Sequence, residues 1–316
     1  MPLPDFLVIG APKTGTTALH AALQGHPELY LSAVKEPKHF LTDGRPPAGA
    51  GPGDARTSRE HVWRRADYEA LFAAAPAGTL RGESTPFYLY DRAAQRRIHA
   101  AVPHARLIAV LRDPVERAHS NWAHLWSAGL EPLDDVVRAC AEEDRRIAAG
   151  WAHFWHYVRL GRYGEQLAHL YTLFPREQVL TFRYRDLLDH PADTLDRICS
   201  FLDVRPGLIS ALPRENVTAQ PTATPFHALL SAVRRRLSGG LGSRLQDRLQ
   251  RPGQARIPLT WEQRQRLIPH FAADIELLQD VTGEDFGDWL RPRERSGGQV
   301  GPRPPGQRQA RNGRPA

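Results

Sequence analysis

Short apolar runs alternate along the chain with longer stretches of helical period, the pattern that places helices on both faces of a parallel sheet. Phe6–Ile9, Leu29–Leu31, Thr79–Gly82, Leu107–Leu111 and Val179–Phe182 read as strands. Thr16–Leu23, Arg92–Ala101, Val115–Trp126, Leu133–Ala148 and Tyr163–Phe174 read as helices, and Trp261–Gln279 adds helix near the C-terminus. Asp113 and Pro114 follow a strand directly and supply a cap and a first-turn proline, which together signal a helix start. The expected fold is α/β: a P-loop-like, three-layer arrangement whose central, mostly parallel sheet is flanked by helices. Ligands of such sheets lie across the C-terminal ends of the strands.

The 316 residues fit one core with appended helices, so a single domain over residues 1–290 is expected. Residues 43–59, rich in Gly, Pro and Ala, read as a mobile loop without regular structure. From Arg291 onward the chain is Pro, Gly, Gln and Arg with almost nothing apolar, so 291–316 is expected to be a disordered basic tail. That tail contributes to the net charge of +7, which suits an anionic ligand without identifying one. Cys140 and Cys199 lie far apart with no paired ligand spacing around them, so neither a zinc site nor a disulfide framework is indicated. The N-terminal apolar run is too short for a signal peptide and no run reaches membrane-spanning length, so a cytoplasmic protein without a transmembrane segment is expected.

The first strand runs into Gly10-Ala11-Pro12-Lys13-Thr14-Gly15-Thr16-Thr17 and then a helix. Glycines let backbone amides converge on an anion, and the helix start adds the positive end of its dipole. Against the pattern GxxxxGK[ST], Gly10, Gly15 and Thr17 are in place, but Thr16 stands where the lysine belongs. The lysine is Lys13, inside the loop. That shift argues against a triphosphatase, whose lysine spans two phosphates beside magnesium, and suits a shorter anhydride.

GAPKTGTTALHAAL resembles the 5′-phosphosulfate-binding loop of the sulfotransferase family, and RLIAVLRDPVERAHSNWAHL resembles that family's 3′-phosphate-binding strand and helix. KEPKHF, GESTPFYLY and FPREQVLTFRYRDLLDHPADTLDRICSFLDV continue the likeness, which covers most of residues 5–204 and is nearest to the carbohydrate, heparan and bacterial types. The resemblance implies 3′-phosphoadenosine 5′-phosphosulfate as donor, with no metal. It gives Lys13 the bridging oxygen and Thr14, Gly15, Thr16 and Thr17 the 5′-phosphate. Arg112 and Ser120 match the pair that holds the 3′-phosphate, Arg112 through its planar fork. Glu36 matches the catalytic base. Where the family often has histidine two residues on, this chain has Lys38, followed by His39; either is a candidate to touch the acceptor or share the work of the base. Glu83, Ser84, Thr85 and Tyr88 match the acceptor side, Glu83 being a second possible base. Asn216, Thr218 and the stretch to Pro225 fall where the family closes over the adenosine.

Two further expectations concern Asp113 and the stretch Trp151–Val158. Asp113 reads as a helix cap in preference to a metal ligand, and the aromatic, His-rich stretch Trp151–Val158 reads as core in preference to an acceptor pocket. The implied partner is a small-molecule, lipid or carbohydrate acceptor bearing a hydroxyl or amine; no nucleic acid is expected, and oligomeric state is not legible. A P-loop kinase or other nucleotide phosphotransferase shares fold and cradle but needs a lysine at Thr16 and magnesium-binding acids. A noncatalytic module binding acidic polymers is the other rival.

Overall fold

A computed structural model of the chain describes residues 2–213 and 258–291. Its five strands are β1 (Phe6–Gly10), β2 (Leu29–Leu31), β3 (Leu80–Ser84), β4 (Arg106–Leu111) and β5 (Val179–Arg183). They form one sheet in the order β2-β3-β1-β4-β5, and every neighbouring pair is parallel. Parallel neighbours require crossovers, which helices provide on both faces. In chain order the helices are α1 (Thr16–Gln24), α2 (Asp54–Ser58), α3 (Arg65–Ala70), α4 (Arg92–Ala101), α5 (Pro114–Ser127), α6 (Val136–Ala141), α7 (Glu143–Ala148) and α8 (Tyr163–Leu170). They continue with α9 (Tyr184–Asp189), α10 (Pro191–Phe201), α11 (Trp261–Leu267) and α12 (Ala272–Thr282).

The two-residue period of the strands divides the core. Leu7, Ile9, Leu107, Ala109 and Leu111 face α4, α5, α8 and α12, where Ile98, Trp122, Leu167 and Leu278 are buried. Phe6, Val8, Ile108, Val110 and Phe182 point the other way, onto Leu19 and Leu23 of α1 and Leu195 and Ile198 of α10. Central strands covered on both faces are apolar throughout, which is why these runs lack polar alternation. Gly82 permits the contact between β3 and β1, since a Cβ there would lie 2.2 Å from the Phe6 ring. The three-layer α/β architecture is the expected one.

Several expected elements break. Leu133–Ala148 divides into α6 and α7, with Asp135 capping α6 by accepting from the Arg138 amide at 2.9 Å. Glu143, at the start of α7, turns inward and accepts the amides of Val158 and Arg159 at 2.5 and 3.0 Å. Tyr163–Phe174 ends as helix at Leu170. Trp261–Gln279 is interrupted by a 3₁₀ turn, Ile268–His270, at Pro269, which has no amide to donate. The 43–59 loop contains a helix, α2, contrary to expectation. Asp54 ties it down by accepting from Gly51 N, Ala152 N and Trp155 Nε1 at 2.8, 2.8 and 3.0 Å. The stretch from Asn216 to Pro225 and the tail from 292 onward lie outside the described residues.

Trp155, Tyr157 and Val158 are core residues, as the composition of their stretch suggested. Trp151, Trp155 and Tyr157 surround the Arg146 guanidinium at 5.2, 5.1 and 5.7 Å, while Arg146 makes a two-pronged pair with buried Glu131 at 2.7 and 2.9 Å. Phe154 and His153 are half-buried.

Candidate active site

At the end of β1 the chain leaves the sheet under tight control: Ala11 N donates to Val110 O at 2.9 Å, and the buried Thr14 hydroxyl turns back to Ala11 O at 2.7 Å. Lys13 and Gly15 both occupy left-handed backbone, with φ of 70° and 78°. Gly15 caps α1 without any side-chain cap, so the first-turn amides of that helix remain available to an anion. A Cβ on Gly15 would lie 2.6 Å from the Tyr184 ring, so glycine is needed here for space as well as conformation. Gly10 serves packing instead: its missing Cβ admits Leu89, whose amide donates to Ile9 O at 2.8 Å. Thr16 is buried beneath the loop and Thr17 is exposed at its mouth.

Arg112 leaves β4 beside this loop. Its Nη1 donates to Lys13 O at 3.3 Å, its Nη2 lies 3.3 Å from Glu116 Oε2, and its guanidinium packs over the Tyr184 ring at 5.1 Å. Arg112 and the cradle are therefore joined through the backbone of Lys13. Asp113 caps α5, accepting the amides of Val115 and Glu116 at 3.0 and 3.2 Å, as expected of it. Its other oxygen takes a buried bond from Arg264 Nη2 at 2.6 Å, a partner no local pattern announces. On α5, Glu116, Ser120 and His124 recur every four residues and so share one stripe, which starts beside Arg112. Ser120 is half-buried on it.

Glu36 follows β2 and enters from the opposite side. Its φ is 57°, and its amide donates to Ser84 O at 3.0 Å, so β3 holds the residue in a conformation that side chains seldom adopt. Lys35 Nζ lies 2.5 Å from Glu36 Oε1. Lys38 is buried, pairs with Glu60 at 3.3 Å and donates its own amide to Thr85 Oγ1 at 3.3 Å. His39 turns away, bonding to Val62 O at 2.9 Å and stacking on Tyr68 at 4.2 Å, which does not bring it to the carboxylate of Glu36.

Glu83, Ser84, Thr85 and Tyr88 are fully buried, so they form the floor behind Glu36 and not an open wall of the cleft. Glu83 accepts from the hydroxyls of Tyr68, Tyr88 and Thr85 at 3.0, 2.8 and 2.8 Å. Burial raises its pKa to about 7 against the pull of those three bonds, with the charge of Glu36 adding to the rise. Three hydroxyls thus hold both of its oxygens in the floor. Ser84 Oγ bonds to His20 Nδ1 at 2.9 Å, and burial followed by the nearby Lys35 ammonium brings His20 down to about 4.

Two residues of this region were not picked out in the sequence. His20 faces inward from α1, beside Lys35 and Glu36. His124 stands exposed on the α5 stripe, where desolvation and the Lys13 ammonium lower its pKa while Glu36 opposes them, so its ring feels both charges. The four-residue spacing from Glu116 through Ser120 was the available signal for His124.

Comparison with known proteins agrees with this geometry. A model described as "Sulfotransferase family" matches residues 4–206, which contain the cradle, Glu36, Arg112 and Ser120. The chain belongs to the sulfotransferase family. Human heparan sulfate glucosamine 3-O-sulfotransferase 6 is 32% identical over 202 residues, covering 64% of this chain and 53% of that protein. Mouse carbohydrate sulfotransferase 15 is 27% identical over 305 residues, covering 77% of this chain and 53% of its own length. The chain thus spans about half the length of these curated relatives. A sulfotransferase from Alicyclobacillus acidocaldarius superposes with a TM-score of 0.73 at 25% identity, covering 92% of this chain and all of that one. Among the described residues of this sulfotransferase-family chain, no helix is long and apolar enough to cross a membrane.

Proposed function

We propose that this sulfotransferase-family chain moves a sulfuryl group from 3′-phosphoadenosine 5′-phosphosulfate to an acceptor hydroxyl or amine, with Glu36 as base and no metal. The observation that carries the reading is the junction of two anion sites: the uncapped amides of α1 behind Lys13, and Arg112, whose guanidinium bonds to Lys13 O at 3.3 Å. A donor with phosphates at both its 5′ and 3′ positions needs two such sites held at fixed separation. An open cradle at Gly15, a fork-shaped cation and the Ser120 hydroxyl beside it suit that donor.

In the proposed reaction Glu36 removes the proton from the acceptor hydroxyl as its oxygen bonds to sulfur. The bond from sulfur to the bridging phosphate oxygen breaks, and the electron pair leaves on that oxygen. Lys13 stabilises this developing charge, a term that acts only as the charge forms. Thr14, Gly15, Thr16 and Thr17 hold the 5′-phosphate by backbone and hydroxyl donors, and Arg112 and Ser120 hold the 3′-phosphate. Lys38 remains a candidate acceptor contact beside Glu36. The family relation and the left-handed backbone that presents Glu36 support this assignment. A kinase reading has no lysine at Thr16 and finds Asp113 already occupied by α5 and Arg264. The proposal extends to a cytoplasmic setting.

Incubation with sulfur-labelled donor and a panel of acceptors is the direct test. Label should appear in an acceptor and its release should depend on Lys13. Equal label transfer by Lys13→Ala and the unaltered protein would refute the assignment.

A further inference from the structure

Helix α5 presents two adjacent stripes with different tasks. Glu116, Ser120 and His124 follow the outer one, running from Arg112 toward Glu36 and Lys13. Arg117 and Asn121, fully buried, follow the inner one. Asn121 Nδ2 donates to Phe154 O at 2.7 Å, and Arg117 Nη2 donates to Tyr157 O, so α5 clips residues 154–157 against itself at two points one turn apart. The Phe154 side chain is thereby fixed against the His124 ring, edge to face at 5.5 Å. Phe87, from the turn after Thr85, meets the far side of Phe154 at 5.6 Å, also edge to face. Tyr90 and His153 extend the ring contacts at 5.1 Å.

His124, Phe154 and Phe87 form one continuous run of rings, which begins at the imidazole that feels the charges of Lys13 and Glu36. The Phe154 and Phe87 rings that make up the wall beyond His124 carry no charge at any pH. The lysines flanking Glu36 do not supply one either: Lys35 pairs with Glu36 and Lys38 with Glu60. A polyanionic chain would lose its hydration against aromatic edges, and the Phe154 and Phe87 rings offer it no cation in return. An uncharged ring gains packing against half-buried Phe154, which Phe87 backs from the core, and its hydroxyl finds an imidazole to bond with.

We infer that the His124–Phe154–Phe87 wall is the acceptor subsite and that it takes an uncharged, ring-bearing alcohol in preference to a sulfated polysaccharide. This rests on the sulfuryl-transfer reading, and narrows it. The test is a donor-saturated transfer assay comparing phenyl β-D-glucoside and benzyl alcohol, as uncharged probes, with heparan sulfate. At least one uncharged probe should be sulfated with a kcat/KM that hardly changes between low and high salt, and Phe154→Ala should raise its KM by about tenfold with kcat little changed. Phe154→Leu, which keeps apolar volume, should recover part of that loss. Heparan sulfate sulfated faster than either probe, with salt-sensitive kcat/KM, would overturn the inference. So would an unchanged KM in Phe154→Ala. Binding of 3′-phosphoadenosine 5′-phosphate, measured in parallel, separates the two levels: if it is absent, the sulfuryl-transfer reading itself fails; if it is retained while the probes fail, only the acceptor assignment does.

Discussion

Glu36, the proposed base, and Lys13, the proposed partner of the bridging oxygen, stand on different elements, and their substitutions should therefore differ in kind. Glu36→Gln removes the base without disturbing the cradle; kcat should fall by about 10²–10⁴-fold while calorimetric affinity for 3′-phosphoadenosine 5′-phosphate is unchanged. Lys13→Ala should lower both. Glu83 carries a separate expectation. Its carboxyl is raised from 4.5 to about 7 by burial, so between those values the folded protein binds a proton that the unfolded chain has released. Its contribution to stability is complete below about pH 4.5 and is lost as pH rises toward 7, on the order of 3 kcal/mol in all. Glu83→Gln should flatten that decline when chemical denaturation is followed across the range; an unchanged slope would show that Glu83 titrates normally. The motif around Glu83 was legible, but its burial was not, because Tyr68 and the floor it completes come from a helix that the local pattern does not connect to β3.

At the scale of elements, the β1-to-α1 turn depends on one left-handed glycine. Gly15→Ala combines a φ of 78° with a Cβ 2.6 Å from Tyr184. The variant should lose at least about tenfold in nucleotide affinity and about 1–2 kcal/mol of stability, read by calorimetry and thermal denaturation. The strands and this loop could be read locally, since apolar runs of five or six residues and a glycine-lysine turn express their structure within a short window. The breaks could not. α6 and α7 part where Glu143 turns to amides of residues 158 and 159, and the 43–59 loop gains α2 because Asp54 finds the backbone and indole of residues about 100 positions away. His39 was read as an acceptor contact from its place after Glu36, yet stacking on Tyr68 decides where its ring points.

Across the whole molecule, the C-terminal helices brace the Arg112 side of the site. Arg264 of α11 holds Asp113, and Asp274 of α12 accepts the amides of Gly164 and Glu165, both at 2.9 Å, at the start of α8. Tyr163, one residue earlier, donates to Arg112 O at 3.0 Å. The backbone of α12 approaches Gly164 so closely that a Cβ there would lie 2.4 Å from Asp274 O. Both Arg112 and Asp113 are thus positioned by residues distant in sequence. Arg264→Ala leaves Asp113 buried without its cation and should cost about 3–5 kcal/mol in unfolding free energy, with nucleotide binding weakened even where the protein remains folded. A loss below about 1 kcal/mol would show the pair to be incidental. The central claim, that Lys13 with its cradle and Arg112 together recognise a nucleotide phosphorylated at both ends, is tested most directly by calorimetry with 3′-phosphoadenosine 5′-phosphate and adenosine 5′-phosphate. The unaltered protein should bind the first far more tightly, and Arg112→Ala should erase most of the difference; equal affinity for the two nucleotides in the unaltered protein would contradict the claim.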